Sequence, residues 1–339
     1  MKVRSRAFLF TALVGVLAAG AVLAKDTSPR ERRQQMMGRI TSWGYQLQKL
    51  DPALLAASPF DLLVIDHAPD RVESVELMFR RHEIEALKQK PDGSRRLVLA
   101  YLSIGEAERY RFYWNEAWVN AGSCPGWLGP VNPQWVGNYP VEFWQPQWQS
   151  LIFGQSESYV DRVLAAGFDG LYLDRADVYE QFKARPQAKA DMTSFLAHLI
   201  DHARAINPDA IVVLQNAEEL ARNKDLRVRL DGIAKESLYF NADKGAQPNA
   251  ASDTADVLAD LKIAQRAGGK IMVVEYVDDA AKAAAARKQA ERDGFLIHFT
   301  ERTLSTLNVR GAQAPLVRTA VSAGVEARDP QPARASPCG

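Results

Sequence analysis

The chain is 339 residues long, with 42 basic and 41 acidic residues, a formal net charge of +1 and 47% hydrophobic residues. So even a charge balance speaks against a general nucleic-acid or membrane-surface binder, which would carry a basic excess. Two cysteines are too few for a disulfide framework.

Lys2, Arg4 and Arg6 precede an uncharged apolar stretch, residues 7–24, that closes on small residues before Lys25 and Asp26. This pattern predicts a secretory signal peptide over residues 1–24, cleaved after Ala24. The alternative is an uncleaved anchor, because the stretch approaches spanning length. Its many Ala and Gly residues make it only weakly hydrophobic, which favours cleavage. No Cys stands at the cleavage site, which argues against a lipoprotein. Cleavage removes three basic and no acidic residues, so 42 basic become 39 against 41 acidic, a net charge of −2. The mature chain is expected to be secreted or periplasmic, monomeric, free of the membrane and without a nucleic-acid partner. An oxidising compartment permits Cys124 and Cys338 to pair.

Strand-like apolar runs follow at residues 40–45, 62–65, 97–103, 171–173, 211–214, 232–235, 271–274 and 295–299. Helical patterns fill most gaps, at 156–166, 192–206, 255–267 and 280–292. Such alternation predicts parallel strands joined by right-handed crossovers. Eight units within residues 25–310 predict an α/β fold, a (β/α)8 TIM barrel with a Trp-rich insertion between strands three and four. An open doubly wound sheet is the alternative, but no G-x-G-x-x-G follows the first strand. Residues 311–339, rich in Ala, Pro, Ser and Arg, predict a disordered C-terminal tail.

The end of the fourth run is the most informative. Gly167 and Gly170 bracket its start, Asp174 closes it, and Asp177, Tyr179 and Glu180 follow. A carboxylate just past the carboxyl end of a parallel strand faces the substrate side. Either aspartate could instead cap the next helix. Other strand ends carry Asp66 and His67; Tyr101, Ser103 and Glu106, with Arg109 beyond; Gln215, Asn216, Glu218 and Glu219; Glu236 and Tyr239; and Glu275 and Tyr276. Acids and amides repeated at one face predict an acidic cleft.

Trp114, Trp118, Trp127, Trp135, Trp144 and Trp148 fall between strands three and four, with Tyr110, Tyr113 and Tyr139. Flat apolar faces with polar edges suit the mixed surface of a sugar ring. These rings could equally form a satellite core, with one or two touching ligand. Two acids in a sugar cleft have a defined use: one protonates the leaving oxygen, and the other attacks the anomeric carbon or activates water. Asp174 and Glu236, on strands four and six, are placed to face each other across the mouth.

The stretches YLSIGEAERYRFYW (101–114), WVGNYPVEFW (135–144), GFDGLYLD (167–174), QNAEE (215–219) and ESLYF (236–240) resemble glycoside hydrolase family 114, the endo-α-1,4-polygalactosaminidase-like barrels. The resemblance covers residues 38–308. It implies hydrolysis of α-1,4-linked galactosamine polymers without a cofactor. By the same resemblance Asp174 is the strand-four catalytic aspartate and Glu236 the strand-six glutamate. Substrate contacts are expected from Asp66, Tyr101, Ser103, Glu106, Arg109, Tyr139, Asp177, Tyr179, Asn216, Glu218, Tyr239 and Glu275, and no metal is expected. The alternatives are a non-catalytic carbohydrate-binding barrel and a metal-dependent hydrolase built on Asp66 and His67. His198 and His202 lack the H-E-x-x-H arrangement and read as an exposed helix face.

Overall fold

Eight parallel strands stand side by side in chain order: Trp43–Gln46 (β1), Leu62–Ile65 (β2), Leu97–Ser103 (β3), Gly170–Asp174 (β4), Ile211–Gln215 (β5), Gly232–Glu236 (β6), Lys270–Glu275 (β7) and Leu296–Phe299 (β8). The computed structural model describes residues 27–72, 75–120 and 122–309, so the predicted signal peptide, the predicted tail and Cys338 lie outside the described residues. The ring draws shut beyond β8, where the Leu47 and Gln48 amides donate to the Leu304 carbonyl at 2.9 and 3.0 Å.

This is the predicted (β/α)8 barrel. The largest boundary shift is at β1, where residues 40–42 precede the strand. The Ile40 amide bonds back to the Met37 carbonyl as the preceding helix, Pro29–Gly38, finishes. That helix was not predicted, although Ser28 and Glu31 form a reciprocal capping box at its start. Tyr159–Ala165, Ala188–Ile206, Ala251–Arg266 and Ala280–Asp293 realise the predicted helices.

Strand alternation builds two apolar layers. Tyr45, Val64, Leu99, Tyr101, Tyr172, Val213, Ala234 and Met272 fill the barrel interior. The alternate residues, such as Leu63, Val98, Leu171, Val212, Ile233 and Ile271, pack outward with helix residues such as Phe195 and Leu199. Each such buried Leu, Ile or Val contributes about 1.5–3 kcal/mol. Gly170 is needed where β4 meets β5, because a Cβ there would lie 1.9 Å from the Ile211 carbonyl oxygen.

One device recurs three times at the amino-terminal face. Asp61, Asp169 and Asp231 stand just before β2, β4 and β6. Their carboxylates accept from the amides of Ser42 (3.2 Å), Val98 (2.9 Å) and Val212 (2.8 Å), at the start of the preceding strands. Lys90, Arg95 and Arg204 pair with the three aspartates, each at 2.8 Å. Charge-assisted bonds of this kind are stronger than neutral ones, so strands are stapled in pairs from below.

Between β3 and β4, residues Glu106–Glu108 pair antiparallel with Asn138–Pro140. The aromatic rings here form a continuous ladder. Trp114 stacks on Tyr139 (5.0 Å) and meets Trp118 (5.2 Å); Trp118 meets Trp127 (5.0 Å), and Trp127 meets Trp148 (5.3 Å). Trp148 is fully buried and donates to the Ile104 carbonyl at 2.9 Å. Most of the insertion's tryptophans therefore form a satellite core.

Candidate active site

Asp174, Gln215 and Glu236 end three successive strands and share the inward-facing parity of Tyr172, Val213 and Ala234. Immediately after them the backbone is strained. Arg175 (φ 64°), Asn216 (55°), Ala217 (48°) and Ser237 (52°) all occupy the left-handed region, at a cost of about 1–2 kcal/mol each. Strain of this kind persists where surrounding structure over-determines it, commonly at active sites.

Asp174 is only 7% exposed. Its Oδ2 accepts from the Tyr101 hydroxyl at 2.7 Å and its Oδ1 from the Arg175 amide at 2.7 Å. Burial, then the charge of Glu236, pushes its pKa up to about 8, with Arg175 opposing. Glu236 accepts from the Tyr276 hydroxyl and from Asn216 Nδ2 (3.1 Å), while Asn216 Oδ1 accepts from the Glu236 amide (3.3 Å). Each carboxylate is thus held by one tyrosine hydroxyl and one N–H donor.

The floor beneath them is phenolic. The Tyr45 hydroxyl donates to Gln215 Oε1 at 3.1 Å, and Tyr172 is buried beside it, ring centroids 5.3 Å apart. Burial first, then the nearby carboxylate charges, raises Tyr45, Tyr101, Tyr172 and Tyr276 well above the ordinary phenol range. All four therefore remain protonated, and each keeps a hydroxyl able to donate. In the sequence Tyr45 and Tyr172 stand inside apolar strand-like runs. For Tyr172 the signal is parity, since it stands two residues before the inward Asp174 at the strand end.

Other predicted residues gather at the rim. Arg175 reaches Glu106 (3.0 Å) and Asp177 (3.1 Å), and Glu106 also accepts from Asn132 at 2.9 Å. The Ser103 hydroxyl donates to the Glu106 carbonyl (3.1 Å). Gly105 permits this approach, because a Cβ there would lie 2.1 Å from the Arg175 carbonyl oxygen. Neither aspartate caps a helix. The turn Ala176–Gln181 begins at Arg175 without a side-chain cap.

Asp66 lies in a buried ion cluster, with both oxygens 2.9 Å from Arg111 Nη1 and one 3.1 Å from His67. Burial would raise its pKa, but Arg111 and His67 outweigh that and hold it well below the usual carboxylate range.

The remaining predicted contacts are engaged elsewhere. Arg109 pairs with Glu116 at 2.6 Å on the surface, and Tyr139 belongs to the aromatic ladder. The Tyr179 hydroxyl donates to Glu219. Glu218 faces Lys235 on the outer side of β6 at 3.2 Å, without hydrogen-bond geometry. Tyr239 donates to Asp293 at 3.2 Å, at the end of an outer helix. Glu275 is fully buried with outward parity, and accepts from the amides of Tyr239 (2.7 Å) and Phe240 (3.3 Å). Burial raises it to about 8 despite those amides. Tyr276, the next residue, turns inward instead.

Among the described residues, no group of three or more His, Cys, Asp or Glu side chains is arranged to hold a metal ion. His202 pairs with Asp161 of a neighbouring outer helix at 2.9 Å. No helix of the described residues is long and apolar enough to cross a membrane.

An eight-stranded parallel barrel with interleaved helices and acids at its carboxyl-terminal mouth is the arrangement of TIM-barrel glycoside hydrolases, and the family model of this chain makes it one of them. The chain belongs to glycoside-hydrolase family GH114, whose sequence model matches residues 24–315. Uncharacterized proteins of Deinococcus radiodurans and Thermotoga maritima are 34% and 35% identical to it. The first match covers 81% of this chain and 85% of the relative, the second 70% and 71%. The glycoside hydrolase domain of PelA from Pseudomonas aeruginosa shares the fold at 18% identity, with a TM-score of 0.58 over 79% of this chain and 97% of that domain. Aspergillus fumigatus Ega3, solved in complex with galactosamine, does so at 18% identity, with a TM-score of 0.56 over 78% and 92%.

Proposed function

We propose that the protein is a secreted hydrolase of α-1,4-linked galactosamine-type polymers, with Asp174 and Glu236 as its catalytic pair. The observation that carries this reading is the placement of two carboxylates at the inward ends of β4 and β6, each fixed by a tyrosine hydroxyl and an N–H donor. Burial, then the charge of Glu236, raises Asp174 to about 8, so Asp174 keeps its proton at neutral pH in the unliganded protein. One protonated and one ionised carboxyl group is the state that glycoside hydrolysis requires.

In this reading Asp174 attacks the anomeric carbon while Glu236 gives its proton to the departing glycosidic oxygen, so the C–O bond breaks and a glycosyl–Asp174 ester forms. Glu236 then takes a proton from water, the water oxygen attacks the anomeric carbon, and the ester breaks to restore Asp174. Asp174 carries the proton in the unliganded protein, so this first step requires its transfer to Glu236 when substrate binds. If the roles are exchanged, Asp174 already carries the proton it donates. Asn216 fixes Glu236 in either case.

The carboxyl groups of Asp174, Glu236 and the part-exposed Asp177 suit a partly deacetylated, cationic aminosugar chain. Ega3 in complex with galactosamine supports the same substrate class. Removal of residues 1–24 on export belongs to this reading. The test is incubation of the chain lacking residues 1–24 with α-1,4-galactosamine oligomers, followed by mass spectrometry. Shorter oligomers with new reducing ends are expected. Binding without new ends would instead identify a non-catalytic carbohydrate-binding barrel.

A further inference from the structure

Five of the six insertion tryptophans are packed. Four lie in the ladder, and Trp144 lies between Phe182 (4.8 Å) and the Arg185 guanidinium (4.2 Å). Trp135 stands apart, with 46% of its surface exposed beside Val136 at 54%. Its main chain is nevertheless held. The Asn138 amide closes a turn onto the Trp135 carbonyl at 3.0 Å, and the Gly137 carbonyl accepts from the Arg109 amide at 2.8 Å. The Arg302 guanidinium stands over one ring face, 5.8 Å from the centroid, and Arg302 is held by Asp243 at 2.7 Å.

These contacts join different walls of the barrel. Trp135 comes from the β3–β4 insertion, Arg302 from the turn after β8, and Asp243 from the loop after β6. In a ring of eight strands β8 stands opposite β4, so the indole reaches toward the far wall of the mouth. Arg302 covers one face and leaves the rest of the ring to solvent. A ring whose main chain is held and whose one face is already covered costs less further ordering when a ligand stacks on it. One indole and one valine are too small an apolar surface for a stable protein interface, which needs about 800 Å² from each partner.

We propose that Trp135 is a sugar-ring subsite, on whose open face a pyranose of the bound polymer stacks at a distance from the cleavage point, with Arg302 as its positioning residue. The choice of an aminosugar as ligand rests on the function proposed above; the subsite rests on the geometry of Trp135, Arg302 and Asp243.

The test uses a galactosamine pentamer titrated into the full chain lacking residues 1–24, in an Asp174→Asn background that prevents turnover, with tryptophan fluorescence and calorimetry as readouts. Trp135→Ala is expected to weaken binding about tenfold, the worth of one good aromatic contact. Trp135→Phe should recover part of the affinity, and Arg302→Ala should weaken binding less than Trp135→Ala. In the catalytically intact chain, the kcat/KM loss from Trp135→Ala should be larger for a pentamer than for a disaccharide. Equal affinity of Trp135→Ala and its parent overturns the subsite and leaves the catalytic pair standing. Trp135-dependent binding without cleavage by the intact protein keeps the subsite and overturns the hydrolase reading. No binding by the parent overturns both.

Discussion

The Tyr101 hydroxyl donates to Asp174 Oδ2 across 2.7 Å, from the inner face of β3 to the end of β4. This bond favours the ionised carboxylate, against the burial and the Glu236 charge that favour the protonated one. Tyr101→Phe removes the donor and nothing else of size. Asp174 should then hold its proton to still higher pH, and kcat/KM should fall about tenfold or more, because a bond to a charged group contributes about 1.5–3 kcal/mol. The check is the pH–rate profile, whose limb belonging to the carboxylate pair should move upward. An unmoved profile would count against Tyr101 acting through Asp174.

Asp174→Asn and Glu236→Gln should each lower turnover on galactosamine oligomers by about 10²–10⁴-fold or more, the usual worth of a positioned acid, base or nucleophile. The barrel should remain folded by circular dichroism. Added azide assigns the roles: an Ala variant at the nucleophile position yields a glycosyl azide with inverted configuration at the anomeric carbon. Near-normal turnover in either Asn or Gln variant removes that residue from the chemistry.

Stability should depend on pH through the same residue. Asp174 titrates near 4 in the unfolded chain and near 8 in the folded one. Between those values the native state binds more protons than the unfolded state. The contribution is therefore fully present below about 4 and is lost as pH rises through about 8. Asp174→Asn lacks this titration, so its melting temperature relative to wild type should climb steadily from pH 5 to pH 8. A constant difference would contradict the raised pKa.

Burial opposes protonation at His298 inside the barrel, lowering its pKa to about 3. In the unfolded chain the same ring titrates near 6.5, so this contribution is fully present above about 6.5 and is lost as pH falls toward 3. Nuclear magnetic resonance should show a His298 ring that stays neutral throughout pH 5–8. A midpoint inside that interval would refute the assignment.

Glu275 makes its contribution through structure. Glu275→Ala leaves the buried Tyr239 and Phe240 amides without their acceptor, which should cost about 2–4 kcal/mol in denaturant unfolding. Glu275→Gln keeps one acceptor oxygen and should cost less. Equal stabilities for the two variants would show that the carboxylate does not anchor the loop after β6.

Much of the barrel was legible because its signals are local. Each predicted run overlaps a strand, and each predicted helix is present, since apolar runs, turn residues and 3.6-residue periodicity lie in neighbouring residues. The helix Pro29–Gly38 is not legible from periodicity because its apolar stripe is weak, and only the capping box at Ser28 and Glu31 marks its start. The repeated Asp61, Asp169 and Asp231 were equally visible, each after an apolar residue and before a strand, but their shared role appears only once their strands are paired.

By itself the sequence determined the eight-unit barrel, the acidic ends of its strands and the membership that Asp174 and Glu236 signal. Only the tertiary structure decided which polar residues at those ends meet. Glu275 and Tyr276 are adjacent and both polar, yet the pleat buries Glu275 behind β7 and sends Tyr276 to Glu236. A step of one residue reverses the face of a strand, and the strand's inward parity is set by closure of the ring. Tyr101 and Asp174, 73 residues apart, are joined for the same reason.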